Sequence, residues 1–160
     1  MLCFVQLLAG RERSFVEVNK AAPAIATGDI EIQAKPEVVW DVLADIDNWP
    51  SWNPDVKEAK LTGGLKEGSV FRWKAGPGTI TSTLEQVERP REIGWSGKTM
   101  GIIAVHVYRL EPLGDGTKVH SEESFDGLIA RVLKGPTRGT LQKGLDGGLA
   151  SLKREAERRA

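Results

Sequence analysis

Between Ile25 and Gln33 apolar and polar positions alternate, Ile30 and Ile32 against Asp29, Glu31 and Gln33. A period of two sends successive side chains to opposite faces, so this stretch is expected to be a strand with one buried face. The period then changes: Pro36 stands where a first helical turn accepts proline, and Val39, Trp40 and Leu43 recur at helical spacing as far as Ala44. From Val56 the alternation returns in six short runs, Val56–Leu61, Ser69–Lys74, Thr79–Glu88, Glu92–Gly97, Val105–Pro112 and Lys118–Asp126, each set off by turn residues. The clearest hairpin signal is Gly114-Asp115-Gly116. Six strands at short spacing predict an antiparallel meander.

The last change of period is to a long helix that begins near Pro136 and Thr137. Leu141, Leu145, Leu149, Leu152 and Ala156 form its apolar stripe, with Lys143, Lys153, Arg154, Glu157 and Arg158 off it. An α+β fold follows, in which a seven-stranded curved antiparallel sheet wraps around the long C-terminal helix. Two short helical pieces follow the first strand. A twisted sheet cannot bring every inner side chain onto one helix, so an internal cavity is expected. The second helical piece falls in DNWPSWNP (residues 47–54), where Asp47 suits a cap and Pro50 and Pro54 bracket a turn. Trp49 and Trp52 are expected on one side of that turn, packed beside Trp40 as a structural corner.

Composition narrows the function. The 160 residues suffice for one domain, read as residues 24–160 behind an extension of residues 1–23. Met1–Ala22 reads as loosely attached or as an upstream start, with a membrane-touching amphipathic arm as the alternative. Lys plus Arg and Asp plus Glu number 22 each, so no basic surplus exists to meet phosphates and nucleic acid is not an expected partner. One cysteine, Cys3, and two histidines provide neither an internal disulfide nor a Cys/His metal cluster, so no metal or other cofactor is expected. The apolar run in MLCFVQLLAG is shorter than the roughly 20 residues that span a bilayer. Arg11 and Arg13 follow it rather than precede it, unlike a secretory signal. A cytoplasmic protein with no stable membrane insertion is expected.

Four stretches, PEVVWDVLADIDNWPSWNP, GSVFRWKAGPGTITSTLEQVERPREIGWSG, YRLEPLGDGTKVHSEESFDG and GLDGGLASLKREAE, resemble START-like helix-grip proteins of the polyketide cyclase/dehydrase group. The resemblance runs from about Ile25 to the C-terminus. It implies a deep cavity between sheet and C-terminal helix, used by relatives for lipids, polyketides, sterols and other apolar molecules. Some relatives cyclise or dehydrate polyketides and others only carry a ligand, so the family implies a pocket and not a reaction.

Register supplies the candidate chemistry. If the loop from Leu113 to Gly116 closes the last hairpin, Leu110 faces Val119, Tyr108 faces Ser121, His106 faces Glu123 and Ala104 faces Phe125. The apolar pairs mark this face as the inner one. A Glu123 carboxylate beside His106 would raise the imidazole pKa and orient it, and the pair could move protons in an aldol closure or dehydration while Tyr108 donates to a carbonyl. The competing reading is a buried polar network, or one that holds a carrier's ligand by its polar end. Phe71, Trp73, Trp95 and Phe125 are expected as walls, with Leu145 and Leu149 facing them from the helix. Arg72, Lys74 and Arg109 are expected in water, and Arg131 and Arg138 near the mouth, where an anionic ligand head could meet them. Gly97-Lys98-Thr99 lacks the upstream glycine of a phosphate loop, and no Gly-x-Ser-x-Gly elbow occurs. Three roles follow: a binding module for a hydrophobic small molecule, a cyclase/dehydratase-type enzyme, and an interaction protein that delivers a lipid or quinone. The last would be marked by an exposed apolar patch at the cavity mouth.

Overall fold

The computed structural model describes residues 16–160. Cys3, Arg11, Arg13 and the apolar run of the first ten residues lie outside them. Strands β1 (Ala24–Ile32), β2 (Val56–Thr62), β3 (Val70–Ala75), β4 (Thr79–Glu88), β5 (Glu92–Thr99), β6 (Ile102–Leu113) and β7 (Gly116–Asp126) form one antiparallel sheet in the order β1-β7-β6-β5-β4-β3-β2. Six strands follow one another as hairpin neighbours, and β1 closes onto β7, with Ile30 opposite Val119. Helix α1 (Pro36–Ala44), a 3-10 turn (Ile46–Asn48) and α2 (Trp49–Trp52) connect β1 to β2. The chain ends in α3 (Leu128–Val132) and the 26-residue α4 (Lys134–Arg159).

The predicted register of the last hairpin is the observed one: Leu110 pairs with Val119, Tyr108 with Ser121, His106 with Glu123 and Ala104 with Phe125. The turn is the pair Gly114-Asp115, and Gly114 adopts φ 58°, where a Cβ would be strained. The stripe Leu141, Leu145, Leu149, Leu152 and Ala156 is buried as its spacing requires. It seats against β1 and α1 more than across the middle of the sheet. Gly28 permits this approach: a Cβ there would lie 2.8 Å from Leu145 and 2.9 Å from Leu149. The separate α3 is a difference from the predicted element order. Its five residues are too few to carry a helical period, and only Ala130 among them is buried.

A second difference concerns the outer face, read as solvated. Val18 is buried, Val16 is 3.3 Å from where a Gly94 Cβ would stand, and Val107 beneath them is sealed from water. Asn19 anchors this segment by bonding from its amide to Ser124 Oγ and from its side chain to Asp126. Arg109 is accordingly half-buried. It bonds to Glu122 at 3.1 Å and faces Glu92 at 3.6 Å, and burial pushes the Glu92 carboxyl above its ordinary range. Arg72 is exposed as expected, and Lys74 is half-exposed in an ion pair with Glu58.

Candidate functional site

On the inner face of β6 and β7, the His106 ring meets two neighbours. Nε2 is 2.8 Å from Ser121 Oγ, a hydrogen bond whose donor depends on the tautomer, and Nδ1 is 3.6 Å from Glu123 Oε1, too long for one. Tyr108 stacks on the other side of the imidazole, ring centroids 4.5 Å apart. His106, Tyr108 and Ser121 are each more than nine-tenths buried. Burial sets the charge here and reverses the expectation that a carboxylate would raise the histidine: His106 is pushed down to about 3 and Glu123 up to about 8. Burial also raises the Tyr108 phenol, with a smaller push from Glu123 and an opposing hydrogen bond from Ser121. At neutral pH all three are uncharged. Glu123 is a carboxylic acid that can donate a proton, Tyr108 is a donor, and His106 is a neutral imidazole whose pKa makes it a poor base.

Aromatic rings continue the wall from this cluster. Trp95 on β5 lies 4.9 Å from His106 and 5.8 Å from Tyr108. Beyond it Trp49 contacts Trp95 at 5.4 Å, Phe71 at 5.5 Å and Trp73 at 5.6 Å, the last two edge-on. Its indole Nε1 donates to Leu43 O at 2.9 Å, which fixes the corner to the end of α1. Trp73 donates to Ser82 Oγ. Trp49 is expected beside Trp40 as a structural corner, with contact to a ligand at the cavity's end as the alternative; its ring contacts are with Phe71, Trp73 and Trp95, so the DNWPSWNP corner forms one end of the aromatic wall. The signal was present in the paired tryptophans, but the partner strands are distant in sequence.

The inner face is sealed at one end and open at the other. Phe71, Leu84, Leu110 and Val119 are buried, whereas Trp73, Ile80, Ala104, Glu123 and Phe125, further along the same faces, are part-exposed. All five lie toward the end where the β3–β4 hairpin meets the β5–β6 hairpin, which in turn touches α3. Across this cleft stands α4, with Gly148 opposite Tyr108: a Cβ there would be 3.8 Å from the phenol oxygen. One turn nearer the opening, a Cβ on Gly144 would meet nothing within 4 Å. Two hollows of about 360 Å³ lie away from the polar trio. The first, lined by Glu17, Lys20, Glu92, Arg109 and Glu122, is charged and on the outer face; the second follows the β2–β3 edge and shares only Trp73 with the cleft. Neither has the apolar walls that an apolar ligand needs.

Of the residues singled out in the sequence, Phe71, Trp73, Trp95, His106 and Tyr108 form one ring-contact network, and Ser121 and Glu123 meet it through His106. Phe125 sits half-buried on the same face, at the open end. Leu145 and Leu149 pack on Gly28, the β1 partner of Ser121, in the same buried cluster as Phe71, Trp95 and Tyr108. Arg131 pairs with Asp126 at 2.9 Å, and Arg138 donates to Pro23 O. Among the described residues no group of three or more His, Cys, Asp or Glu side chains could hold a metal ion.

A seven-stranded antiparallel sheet backed by a long C-terminal helix, with short helices after the first strand, defines the helix-grip class. Residues 23–157 match the family described as polyketide cyclase/dehydrase and lipid transport, and the chain belongs to that family. No curated protein matches it. Among solved structures, a hypothetical protein from Helicobacter pylori superposes with a TM-score of 0.77 at 14% identity, covering 89% of this chain and 98% of its own. A START superfamily protein from Mycobacterium smegmatis gives 0.66 at 17%, covering 84% and 95%. The Zhui aromatase/cyclase from Streptomyces sp. R1128 gives 0.72 at 18%, covering 84% and 94%. At these identities the likeness is one of fold.

Proposed function

We propose that the chain binds a hydrophobic small molecule, such as a lipid, polyketide or quinone, in the cleft between sheet and α4. The carrying observation is an aromatic wall that ends in three uncharged polar groups, His106, Tyr108 and Glu123. Such a set favours an uncharged oxygen, a carbonyl or hydroxyl. A ligand carboxylate or ammonium would enter with its desolvation cost unmet. The apolar body would lie along Trp73, Trp95 and Phe125. Family membership supports the same reading.

The test uses 1-N-phenylnaphthylamine, an apolar dye that fluoresces on leaving water. Wild-type protein is expected to bind it, and Phe125→Ala, at the open end, to weaken binding about tenfold, or about 1.4 kcal/mol, while melting within a few degrees of wild type. Equal binding by the variant, or none by the wild type, would sink the proposal.

A cyclase/dehydratase reading is favoured by one observation: Glu123, raised to about 8, is a protonated acid at neutral pH. A structural neighbour is an aromatase/cyclase. His106 at about 3 weighs against it, because the base of an acid/base pair should titrate near the working pH. If Glu123→Gln kept dye binding but abolished turnover of a poly-β-ketone substrate, simple carriage would be the wrong description.

A further inference from the structure

The large apolar side chains that face water are concentrated at one place. Leu128, Ile129, Val132 and Leu133 come from α3 and its junction with α4, and Met100 and Ile103 from the β5–β6 hairpin. These two elements touch: a Cβ on Gly101 would be 3.7 Å from Ile129 Cδ1. Leu128, Val132 and Met100 are the most exposed, at 76%, 72% and 62%. A patch of this kind on a soluble domain marks a contact surface.

Met100 carries the point further. Thr99 pairs with Ile102, so the hairpin loop is two residues, and both Met100 and Gly101 have positive φ, 46° and 75°. Two such residues make a type I′ turn, which at its first position favours asparagine, aspartate or glycine. Methionine there strains the backbone, and its thioether reaches only as far as Gly78 on the neighbouring β3–β4 hairpin, where a Cβ would stand 3.0 Å from the sulfur, so most of the side chain still faces water. A surface that receives this exposed part would give the methionine a use that the turn does not.

Charge selects the kind of surface. Between Gly127 and Leu145 stand Arg131, Lys134, Arg138 and Lys143 and no carboxylate, in a chain whose charges balance overall, and Lys98 flanks Met100 on the hairpin. Among the described residues, only Arg131 of these cations has a carboxylate partner, Asp126. Protein-binding hot spots are enriched in Trp and Tyr as well as Arg; these rim residues share the arginines but supply aliphatic chains and methionine in place of the aromatic rings. That composition matches the boundary between acyl chains and anionic head groups. Among the described residues no helix is long and apolar enough to cross a membrane, so the contact would be peripheral.

We propose that the rim formed by α3 and the β5–β6 hairpin docks on the surface of anionic phospholipid bilayers. The rim borders the open end of the cleft, so a docked molecule would turn that opening toward the lipid. This coupling rests on the ligand-binding reading; docking itself does not.

The full-length chain is mixed with vesicles of phosphatidylcholine alone or with 30% phosphatidylglycerol. Binding is expected to rise at least tenfold with phosphatidylglycerol at low salt and to fall in 0.5 M NaCl. Val132→Glu and Lys134→Glu should each weaken it about tenfold. Met100→Asn should weaken it as well while leaving the melting temperature unchanged or higher, a divergence that a structural role for Met100 would not produce. Vesicle binding indifferent to lipid charge, or equal in the variants and wild type, would overturn the proposal. So would a dimer that Val132→Glu dissociates, in a protein that binds no vesicles. Binding of 1-N-phenylnaphthylamine without vesicles, unchanged in the rim variants, keeps a failure here separate from a failure of the cleft reading.

Discussion

His106 and Glu123 face each other across two strands, and burial moves their pKa values in opposite directions. For His106, held at about 3 against an ordinary 6.5, the stability contribution is complete above pH 6.5 and is lost as pH falls through the folded value. For Glu123, held at about 8 against 4.5, it is complete below pH 4.5 and is lost as pH rises through about 8. Between pH 4.5 and 6.5 the two slopes cancel, leaving an uncompensated alkaline loss from 6.5 to 8. Glu123→Gln should therefore lose less stability than wild type on going from pH 6.5 to 8.5, by about 2 kcal/mol, because a window of about 1.5 pH units is worth that much. Urea unfolding at the two pH values checks it, and parallel losses in both proteins would contradict the neutral state of the site. The positions of these residues were legible in the sequence because strand period and turn length fix register. Their protonation was not. Beside a solvated carboxylate His106 would rise, and only the depth of the enclosing wall makes desolvation the larger effect.

At the scale of elements, one glycine opposite α4 and one within it have opposite roles. On the strand opposite it, Gly28 leaves room for Leu145 and Leu149, so Gly28→Ala forces a methyl against both and should cost about 1–3 kcal/mol. Gly144→Ala places its methyl in open space within a helix and should stabilise by about 0.5–1 kcal/mol. Thermal unfolding distinguishes the two signs; a stabilised Gly28→Ala would mean that the helix does not sit this close to β1. The long helix, α1 and the strands were legible because each has a period, and α1 was bounded at Pro36 and Ala44 as observed. The five-residue α3 was not, for want of enough residues to show one. The tryptophan corner was recognisable as a corner, but which strands Trp49 would touch depends on how the sheet returns beneath it.

For the whole molecule, the family match begins at residue 23, yet packing begins earlier. Val16 lies over Gly94 beside Val107, Val18 is buried, and Asn19 ties the segment to β7. Val18→Asp would place a carboxylate in that buried position and should lower stability by about 2 kcal/mol or more, without weakening dye binding on the opposite face. Chemical denaturation and the dye titration together check this, and an unaffected midpoint would mean that the segment does not hold the sheet. A solvated outer face was the natural reading of Arg109 and its neighbours, since alternation reports which positions share a face but not what later lies over it.

By itself the sequence determined the order and period of the strands, the pairing of β6 with β7 and the stripe of α4, which rest on local spacing, and the family, which rests on the resemblance of its motifs. Tertiary structure alone decided that His106 and Glu123 are neutral, that Trp49 belongs to the wall, and that α3 and Met100 share one exposed rim. These depend on distances between residues remote along the chain and on how much water reaches them. Neither quantity is carried by the order of residues until the sheet has closed around them.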